Sequence, residues 1–317
     1  MLTLFTCPKP FRNHIGIIQA NAIHSWLDLG PEVEVILVGD EPGMAEIASA
    51  TGVRQLSGVE LSGEGTPLAS SVFRLARANS RHEVLCYLNA DIVLLDDFLP
   101  AVHKVQEQLM QFLIVGQRWD LRIREAINFE TGWQEALRRR TQEGGRRHPP
   151  AGSDYFVFRR DLFLEVPPFA LGRAGWDNWM IFAGRAAKVP VVDASAMITA
   201  IHQDHDYSHL PDGQPHYRLP ESLGNIELAG GREMIFRLTD ADWRLTQAGL
   251  EKKSWRDVGI QRWMESKLVS SFGPGHRARV VRMAFHPLDT MRYLLTRLRE
   301  RLDKLIPSLL RRGPDGP

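Results

Sequence analysis

The chain has 317 residues, of which 44% are hydrophobic and 24% are charged, and its formal net charge is +1. This length suits one large domain or two ordinary ones, and the near-zero net charge gives no reason to expect nucleic acid as a partner. Cys7 and Cys86 lie in apolar stretches, which predicts buried thiols rather than a disulfide. The N-terminal stretch lacks the features of a signal peptide and no run of about 18 apolar residues occurs, so we expect a cytoplasmic protein.

Strands and helices alternate through the first part of the chain. Apolar runs predict strands at 2–7, 33–38 and 84–88, and residues 53–61 are either irregular or a short strand. Helical spacing of apolar residues, with proline or threonine at the start, predicts helices at 15–29, 42–50 and 68–80. This alternation is typical of a mostly parallel sheet in one α/β domain.

The stretch VLCYLNADIVLLDDF, residues 84–98, places polar side chains directly after a buried strand. Asn89 and Asp91 are two residues apart, so on an extended chain they face the same side. Open α/β sheets bind ligands at the carboxyl ends of their strands, and two oxygen donors there suit a divalent cation that carries phosphates. On this segment alone, a capping or turn role for Asp91 is the alternative.

The middle of the chain adds a basic segment and an aromatic one. A helix at 100–112 and a strand at 113–116 precede residues 138–152, which are polar, basic and turn-rich. We predict a loop there, either a solvated surface or a lid that carries positive charge. A strand at 153–158 leads through a proline-rich loop into Gly175-Trp176-Asp177-Asn178-Trp179 and a helix at 179–187.

The last third of the chain is less regular. Strands at 189–192 and 196–201 precede HQDHDYSH, residues 202–209, and a helix is predicted at 251–268. A helical pattern follows from Arg277 to Leu310, and residues 277–312 contain ten Lys and Arg against three Asp and Glu. This basic amphipathic segment either packs on its own domain or contacts a membrane surface. We therefore divide the chain into residues 1–235 and a C-terminal helical extension, residues 236–317.

Three segments together resemble the nucleotide-diphospho-sugar transferases of the GT-A fold. The first, LNADIVLLDDF, is similar to the Asp-x-Asp motif at the end of a central strand in that family. The second, GSDYFVFRRDLF followed by PPFALGRAGWDNWMI, is similar to the acceptor-side half, where an acidic residue begins a helix. The third, ITAIHQDHDYSH, is similar to the strand with the late metal-binding histidine. The resemblance covers about residues 1–210, in the family's order.

The resemblance implies a Rossmann-type, mostly parallel GT-A-like sheet flanked by helices, and transfer of a sugar from a nucleotide-diphospho-sugar donor to an acceptor hydroxyl. It implies Mn²⁺ or Mg²⁺ as the cofactor, with Asp91 and His202 as metal ligands, and Asp177 as the general base. Asn89 stands where the family has its first Asp. Because an amide is the weaker metal ligand, we expect Asn89 to contact the ribose or to support Asp91.

The substrate positions follow from the same resemblance. Trp176 and Trp179 flank Asp177, and aromatic faces commonly stack on sugars. For Asp40 and Asp154 the alternative to a substrate contact is a role in a turn. For Asp177 the alternative to the general base is a helix N-cap. Arg74 and Arg77 are either phosphate partners or a solvated helix face. The predicted substrate-binding residues are Thr6, Asp40, Asn89, Asp154, Trp176, Asn178 and Trp179.

Two other classes of function stay open on the sequence. A metal-dependent hydrolase could use His202, Asp204, His205 and His209 as ligands. A non-catalytic sugar-nucleotide binder would keep the fold without turnover. A dinucleotide oxidoreductase is not favoured, because no G-x-G-x-x-G follows the first strand. For a transferase, we expect a glycan or lipid-linked acceptor in surface polysaccharide synthesis, no nucleic acid, and peripheral contact with the inner face of the membrane as an option.

Overall fold

The computed structural model describes residues 2–204, 217, 219–288, 291 and 295 of the chain. The strands are β1 Leu2–Thr6, β2 Val33–Val38, β3 Arg54–Leu56, β4 Val84–Leu88, β5 Ile92–Leu94, β6 Leu113–Val115, β7 Arg118–Leu121, β8 Arg146–Arg147, β9 Tyr155–Arg159, β10 Val191–Asp193, β11 Ala200–Gln203, β12 Trp243–Thr246 and β13 Gly249–Lys252. The helices are α1 Asn13–Leu27, α2 Met44–Thr51, α3 Ala69–Asn79, α4 Phe98–Gln106, α5 Trp133–Gly144, α6 Trp176–Ala186, α7 Pro220–Leu228, α8 Trp255–Val258, α9 Ile260–Phe272 and α10 His276–Phe285.

The main sheet has nine strands in the order β13-β12-β10-β6-β9-β4-β1-β2-β3. β1 pairs in parallel with β2 and β4, and β10 pairs in parallel with β6 and β12, whereas β9 runs antiparallel between β4 and β6. The expected fold class is confirmed: the protein is α/β, with a large, mostly parallel sheet flanked by helices. Because β9 is reversed, its amino end lies at the same edge as the carboxyl ends of β4 and β6.

A second sheet of four strands, β5-β11-β7-β8, lies beyond this edge. The chain leaves β4 through the turn 89–91 and enters β5, which pairs antiparallel with β11. β11 also pairs in parallel with β7, so that His202 is in register with Ile92 on one side and with Asp120 on the other. The small sheet therefore gathers side chains that are far apart in sequence.

Apolar side chains cover both faces of the main sheet. One core cluster joins α3 and α6 to the sheet, and the other joins α1 and α4 to its opposite face. In the first cluster Phe73 packs edge-on to Phe5 at 5.1 Å between ring centroids, and it stacks on Tyr87 at 5.5 Å. Aromatic pairs of this kind add about 0.5–1.5 kcal/mol each beyond their buried area, so this packing fixes the strand ends that carry the polar site.

Several predicted elements need correction. The predicted loop at 138–152 is helical in its first part, because α5 runs to Gly144 and buries Leu137 and Thr141. Trp243–Thr246 and Gly249–Lys252 are strands of the main sheet, although they lie in the segment predicted as a helical extension. Helices α8, α9 and α10 follow them. The predicted helix beyond residue 288 falls outside the described residues, except for Met291 and Leu295.

Candidate active site

The first part of the site is the turn between β4 and β5, which carries Asp91. Gln203 is fully buried, and its Nε2 and its backbone N–H both donate to the Asp91 carbonyl, at 3.2 and 3.3 Å. The carboxylate of Asp91 faces His202, with Oδ2 at 3.6 Å from Nε2. The structure thus brings together the two residues that the sequence predicts as metal ligands.

The other nitrogen of His202 faces carboxylates as well. Nδ1 lies 3.4 Å from Asp120 Oδ1 and 3.5 Å from Asp204 Oδ1, and His202 itself is buried. Burial alone would lower the pKa of His202, but the charge of Asp91 and the hydrogen bonds of Asp120 and Asp91 outweigh it and raise the pKa to about 9. The histidine is therefore charged at neutral pH in the protein without a metal.

These residues fit a divalent cation. Asp120, His202 and Asp204 each offer one ligand atom, and the three atoms lie within 4.8 Å of one another. The pair of Asp91 Oδ2 and His202 Nε2 also suits a shared cation, because two ligands at about 2.1 Å from one metal are separated by roughly 3–4 Å. In that arrangement Asp120 orients the histidine through Nδ1, as outer carboxylates commonly do.

Asp120 is held mainly by cationic groups. Its carboxylate accepts from Arg118 Nε at 2.8 Å and from Arg146 Nη2 at 3.1 Å, and it lies 3.0 Å from His148 Nδ1. Burial would raise the pKa of Asp120, but the hydrogen bonds of His202 and His148 and the Arg118 charge hold it well below its usual range. Asp120 is therefore ionised, with most of its acceptor capacity already used.

Arg118 connects this group to the second part of the site. Its Nη1 donates to Asp154 Oδ1 at 2.6 Å, and Asn89 Nδ2 donates to the same oxygen at 2.7 Å. The backbone N–H of Asn89 also donates to the Asp154 carbonyl, at 2.9 Å. Asn89 therefore supports the carboxylate of Asp154, which lies directly before β9. The sequence predicts instead that Asn89 contacts the ribose or supports Asp91.

The third part of the site is the start of α6, where Asp177 lies in the first turn. Gly175 is the N-cap and the helix begins at Trp176, so the alternative of Asp177 as N-cap is wrong. Burial raises the pKa of Asp177 to about 6; the backbone N–H of Asn178 opposes this shift, and the charge of Asp154 adds to it. A carboxylate with such a pKa is ionised at neutral pH and basic enough to accept a proton.

Tyr87, at the end of β4, lies among these carboxylates. Burial raises its pKa well above its usual value, and the charges of Asp91, Asp154 and Asp177 add to the increase. The charges of all three carboxylates therefore act on one phenol. Its hydroxyl donates weakly to Asn89 Oδ1, at 3.4 Å.

Two cations lie on the Asp91 side of the site. Loss of solvent around the Lys9 ammonium lowers its pKa, an effect that Asp91 opposes and Arg173 reinforces. Gln19 holds the loop that carries Lys9, since its side chain exchanges two hydrogen bonds with the Lys9 backbone at 2.7 and 2.8 Å. Arg173 is held by Glu221, at 2.8 Å. A phosphate near Asp91 would lie within electrostatic reach of the Lys9 ammonium.

The residues next to Asp177 make contacts within the protein, and their role as substrate contacts stays a prediction. Trp176 is buried, with its ring edge-on to Tyr87 at 4.9 Å between centroids, so it is a core residue. Asn178 donates to the carbonyls of Ala151 and Phe236, at 2.7 and 2.6 Å. Trp179 packs on Phe169 and Phe163 and is only partly exposed.

The remaining predicted positions differ in the contacts that they make. The Thr6 hydroxyl is buried at the carboxyl end of β1 and makes no hydrogen bond within the described part of the chain. Asp40 accepts from the Gly58 backbone N–H, at 3.0 Å, as a turn residue does. Arg77 donates to the carbonyls of Arg160, Leu162 and Phe163, so its guanidinium is engaged within the protein. Arg74 is exposed and pairs with Glu60, as expected for the alternative of a solvated helix face.

Sequence reasoning missed Arg118, Asp120 and Lys9. Asp120 follows the predicted strand 113–116 in the sequence, and residues 118–121 form a separate strand of the small sheet. The alternation of Arg118 and Asp120 was the available signal, since residues two apart on a strand share a face. His205 and His209 of the predicted hydrolase cluster lie outside the described residues.

No protein-family model matches the chain, and no curated protein matches it. Among solved structures, glucosyl-3-phosphoglycerate synthase from Mycobacterium tuberculosis with Mg²⁺ and UDP is 16% identical, with a TM-score of 0.45 over 73% of this chain and 80% of that one. A crystal structure of a mycobacterial protein is 17% identical, with a TM-score of 0.41 over 67% and 70%. With TM-scores below 0.5, these likenesses carry no argument about this chain.

Proposed function

We propose that the protein is a glycosyltransferase that moves a sugar from a nucleotide-diphospho-sugar to an acceptor hydroxyl. One observation carries the proposal: a pair suited to a cation, Asp91 and His202, lies at the same sheet edge as Asp177, a carboxylate whose pKa is raised to about 6. A donor whose leaving group is a diphosphate needs charge neutralisation, and an acceptor hydroxyl needs a base. The site offers residues that suit a cation for the diphosphate and a carboxylate that can act as the base.

Asp91 and His202 would hold a divalent cation, with Asp120 orienting the histidine. When bound, Mn²⁺ or Mg²⁺ supplies Lewis-acid stabilisation of the charge that develops on the diphosphate. Lys9 and Arg173 add positive charge on the same side. Asp91 is fixed for this task by Gln203, which holds its backbone carbonyl through two hydrogen bonds.

Asp177 takes the proton of the acceptor hydroxyl. The acceptor oxygen then forms its bond to the anomeric carbon, and the bond between that carbon and the diphosphate oxygen breaks, with its electron pair staying on the diphosphate. Positioned bases of this kind contribute about 10²–10⁴-fold to a rate. Asp154 pairs with Arg118 and accepts a hydrogen bond from Asn89, and its charge helps to raise the pKa of Asp177.

The proposal also includes the acceptor and the location of the protein. We place the reaction in the synthesis of a surface or secreted glycan, with a glycan or lipid-linked acceptor and a cytoplasmic protein that contacts the membrane peripherally. Within the described residues no helix is long and apolar enough to cross a membrane. The motif order over residues 1–210 and the site around Tyr87 support a transferase rather than a non-catalytic binder, since a binder has no use for a base.

Thermal unfolding with UDP, GDP, CMP and dTDP, each with and without Mn²⁺, tests the donor site. A ligand at a hundred times its Kd stabilises the native state by about 2.7 kcal/mol, which raises Tm by roughly 5 °C for a chain of this size. We expect one nucleotide to give this shift only with the metal. Asp91→Ala and His202→Ala should each abolish it.

Asp96→Ala is the matched control, because Asp96 is an exposed carboxylate five residues further along that pairs with Arg138 on the surface. It should leave the nucleotide shift unchanged. A metal shift that no nucleotide alters, lost in His202→Ala, would contradict the transferase and favour the metal-dependent hydrolase.

Gly152 tests the placement of Asp177. A Cβ at position 152 would lie 2.8 Å from Asp177 Oδ2, closer than carbon and oxygen normally approach. Since Gly152 does not have a positive φ, alanine suits its backbone and the carboxylate moves instead. We expect Gly152→Ala to lower kcat about tenfold to a hundredfold, with Tm and the nucleotide shift unchanged. Gly144→Ala, with open space around its Cβ, is the control.

A further inference from the structure

The C-terminal helices present an unusual surface. α9 and α10 form an antiparallel pair, joined by residues 273–275, which we call the α9–α10 hairpin. Its open end is closed by Gln261 Nε2, which donates to the Phe285 carbonyl at 2.8 Å, and by His286, which lies 3.0 Å from Glu265. The inner face is buried through Val269, Ala278 and Val281, and α9 packs on α6. The hairpin therefore has a fixed outer face.

That outer face is apolar. Ile260 and Met264 are four residues apart on α9, and Val280 and Met283 are three apart on α10, so each pair lies on one side of its helix. Together with Phe272, these side chains are between 43% and 59% exposed. Exposed apolar side chains grouped in this way indicate a contact surface in a soluble domain.

The charge around these side chains is positive. Lys267, Arg277 and Arg279 are exposed, and the cationic groups of Lys267 and Arg277 lie 3.8 and 6.0 Å from the centroids of Trp263 and Phe272. The acidic residue of α9, Glu265, is buried on the inner face, where it pairs with Arg262 and His286. The outer face thus combines apolar side chains with positive charge, and within residues 260–285 no exposed carboxylate opposes that charge.

We propose that the outer face of the α9–α10 hairpin docks on an anionic lipid bilayer. Apolar side chains enter the boundary between headgroups and acyl chains, while lysine and arginine reach the headgroup phosphates from long apolar stems. Charge complementarity selects a lipid surface that carries negative charge. The proposal rests on the peripheral membrane contact included in the proposed function and deepens it, since it names the surface and the lipid charge. It does not depend on the transferase activity, because docking requires none of the residues of the catalytic site.

Co-sedimentation with vesicles tests the docking. We expect the protein to bind phosphatidylcholine vesicles in which a third of the lipid is phosphatidylglycerol, and added salt should release it from them. It should not bind vesicles of pure phosphatidylcholine. Removing one cation near the surface should weaken partitioning about fivefold, so Lys267→Gln with Arg279→Gln should weaken it about twentyfold. Met264→Gln with Met283→Gln should weaken it about tenfold or more.

Matched controls use exposed residues elsewhere. Met110→Gln with Lys188→Gln removes a methionine that is 90% exposed and an exposed cation, and it should leave vesicle binding unchanged. All the altered side chains are exposed, so Tm should change little in every variant. Binding that survives both hairpin variants would overturn the proposal. A dimer in solution that Met264→Gln with Met283→Gln dissociates, without vesicle binding by the parent, would assign the face to a second copy instead.

Discussion

Replacing Asp177 by Asn is expected to lower kcat for glycosyl transfer by about 10²–10⁴-fold. The amide keeps the shape of the side chain and can still accept from the first turn of α6, but it cannot take the proton of the acceptor hydroxyl. Donor binding should be unaffected, because Asp91 and His202 hold the metal side of the site. Initial rates of nucleotide release, together with the thermal shift given by the nucleotide and Mn²⁺, separate these two effects.

The pH profile gives a second readout of the same residue. Burial raises the pKa of Asp177 to about 6, so kcat/KM of the parent should rise with pH through about 6 and then level off. The residual rate of Asp177→Asn should lack this step. If the variant keeps both the rate and the step, Asp177 is not the base, and the assignment of the acceptor side is wrong.

The raised pKa of Asp177 also predicts that Asp177→Asn is more stable than the parent protein. Because the folded pKa of Asp177 is above its unfolded value, the group favours the folded state only below the unfolded pKa, and this contribution is lost as pH rises towards 6. Asp177→Asn should therefore be more stable than the parent above pH 6, by roughly 1–3 kcal/mol, and should lose that advantage in acid. Denaturant unfolding at several pH values measures the difference; equal stability at all of them would show that the carboxylate is well solvated.

The sequence was informative where local pattern decides structure. Apolar runs located β1, β2 and β4, and the break after Leu88 located Asn89 and Asp91 at the carboxyl edge of the sheet. Helical geometry decides what two neighbouring positions do. Trp176 and Asn178 lie on either side of Asp177 in the sequence, and on the helix Trp176 points into the core whereas Asn178 donates to the Ala151 carbonyl.

What the sequence could not show is pairing between distant strands. β7 and β11 are separated by about eighty residues, and only their register places Asp120 beside His202. In the same way, the reversal of β9 brings Asp154 to the end of β4, where it meets Asn89. Non-local pairing of this kind leaves no local period in the sequence, so the charged group linking Asp120, Arg118 and Asp154 emerged only from the fold.

The reversed strand explains why position 89 carries an amide rather than a carboxylate. Asn89 Nδ2 donates to Asp154 Oδ1 at 2.7 Å, and a carboxylate at position 89 would instead bring two negative groups together. We expect Asn89→Asp to raise the pKa of one of the two carboxyl groups, to reduce stability by about 1–3 kcal/mol, and to lower kcat. Denaturant unfolding and initial rates measure both effects. Stronger Mn²⁺ binding with a higher rate would show instead that position 89 is a metal ligand.

A reciprocal exchange separates hydrogen bonding from metal ligation. Asp154→Asn alone removes one of the two carboxylates that pair with Arg118 and leaves two amides facing each other, so it should also destabilise the protein. Asn89→Asp combined with Asp154→Asn restores one carboxylate and one amide with the donor and acceptor reversed. We expect the double variant to recover about 1.5–3 kcal/mol relative to the sum of the single variants, the usual value of a hydrogen bond to a charged group. Asn89→Ser with Asp154→Asn, which restores no carboxylate, should recover much less. Because the carboxylate has moved from β9 to the turn before β5, the pKa of Asp177 should shift as well, and the rise of kcat/KM near pH 6 should move with it.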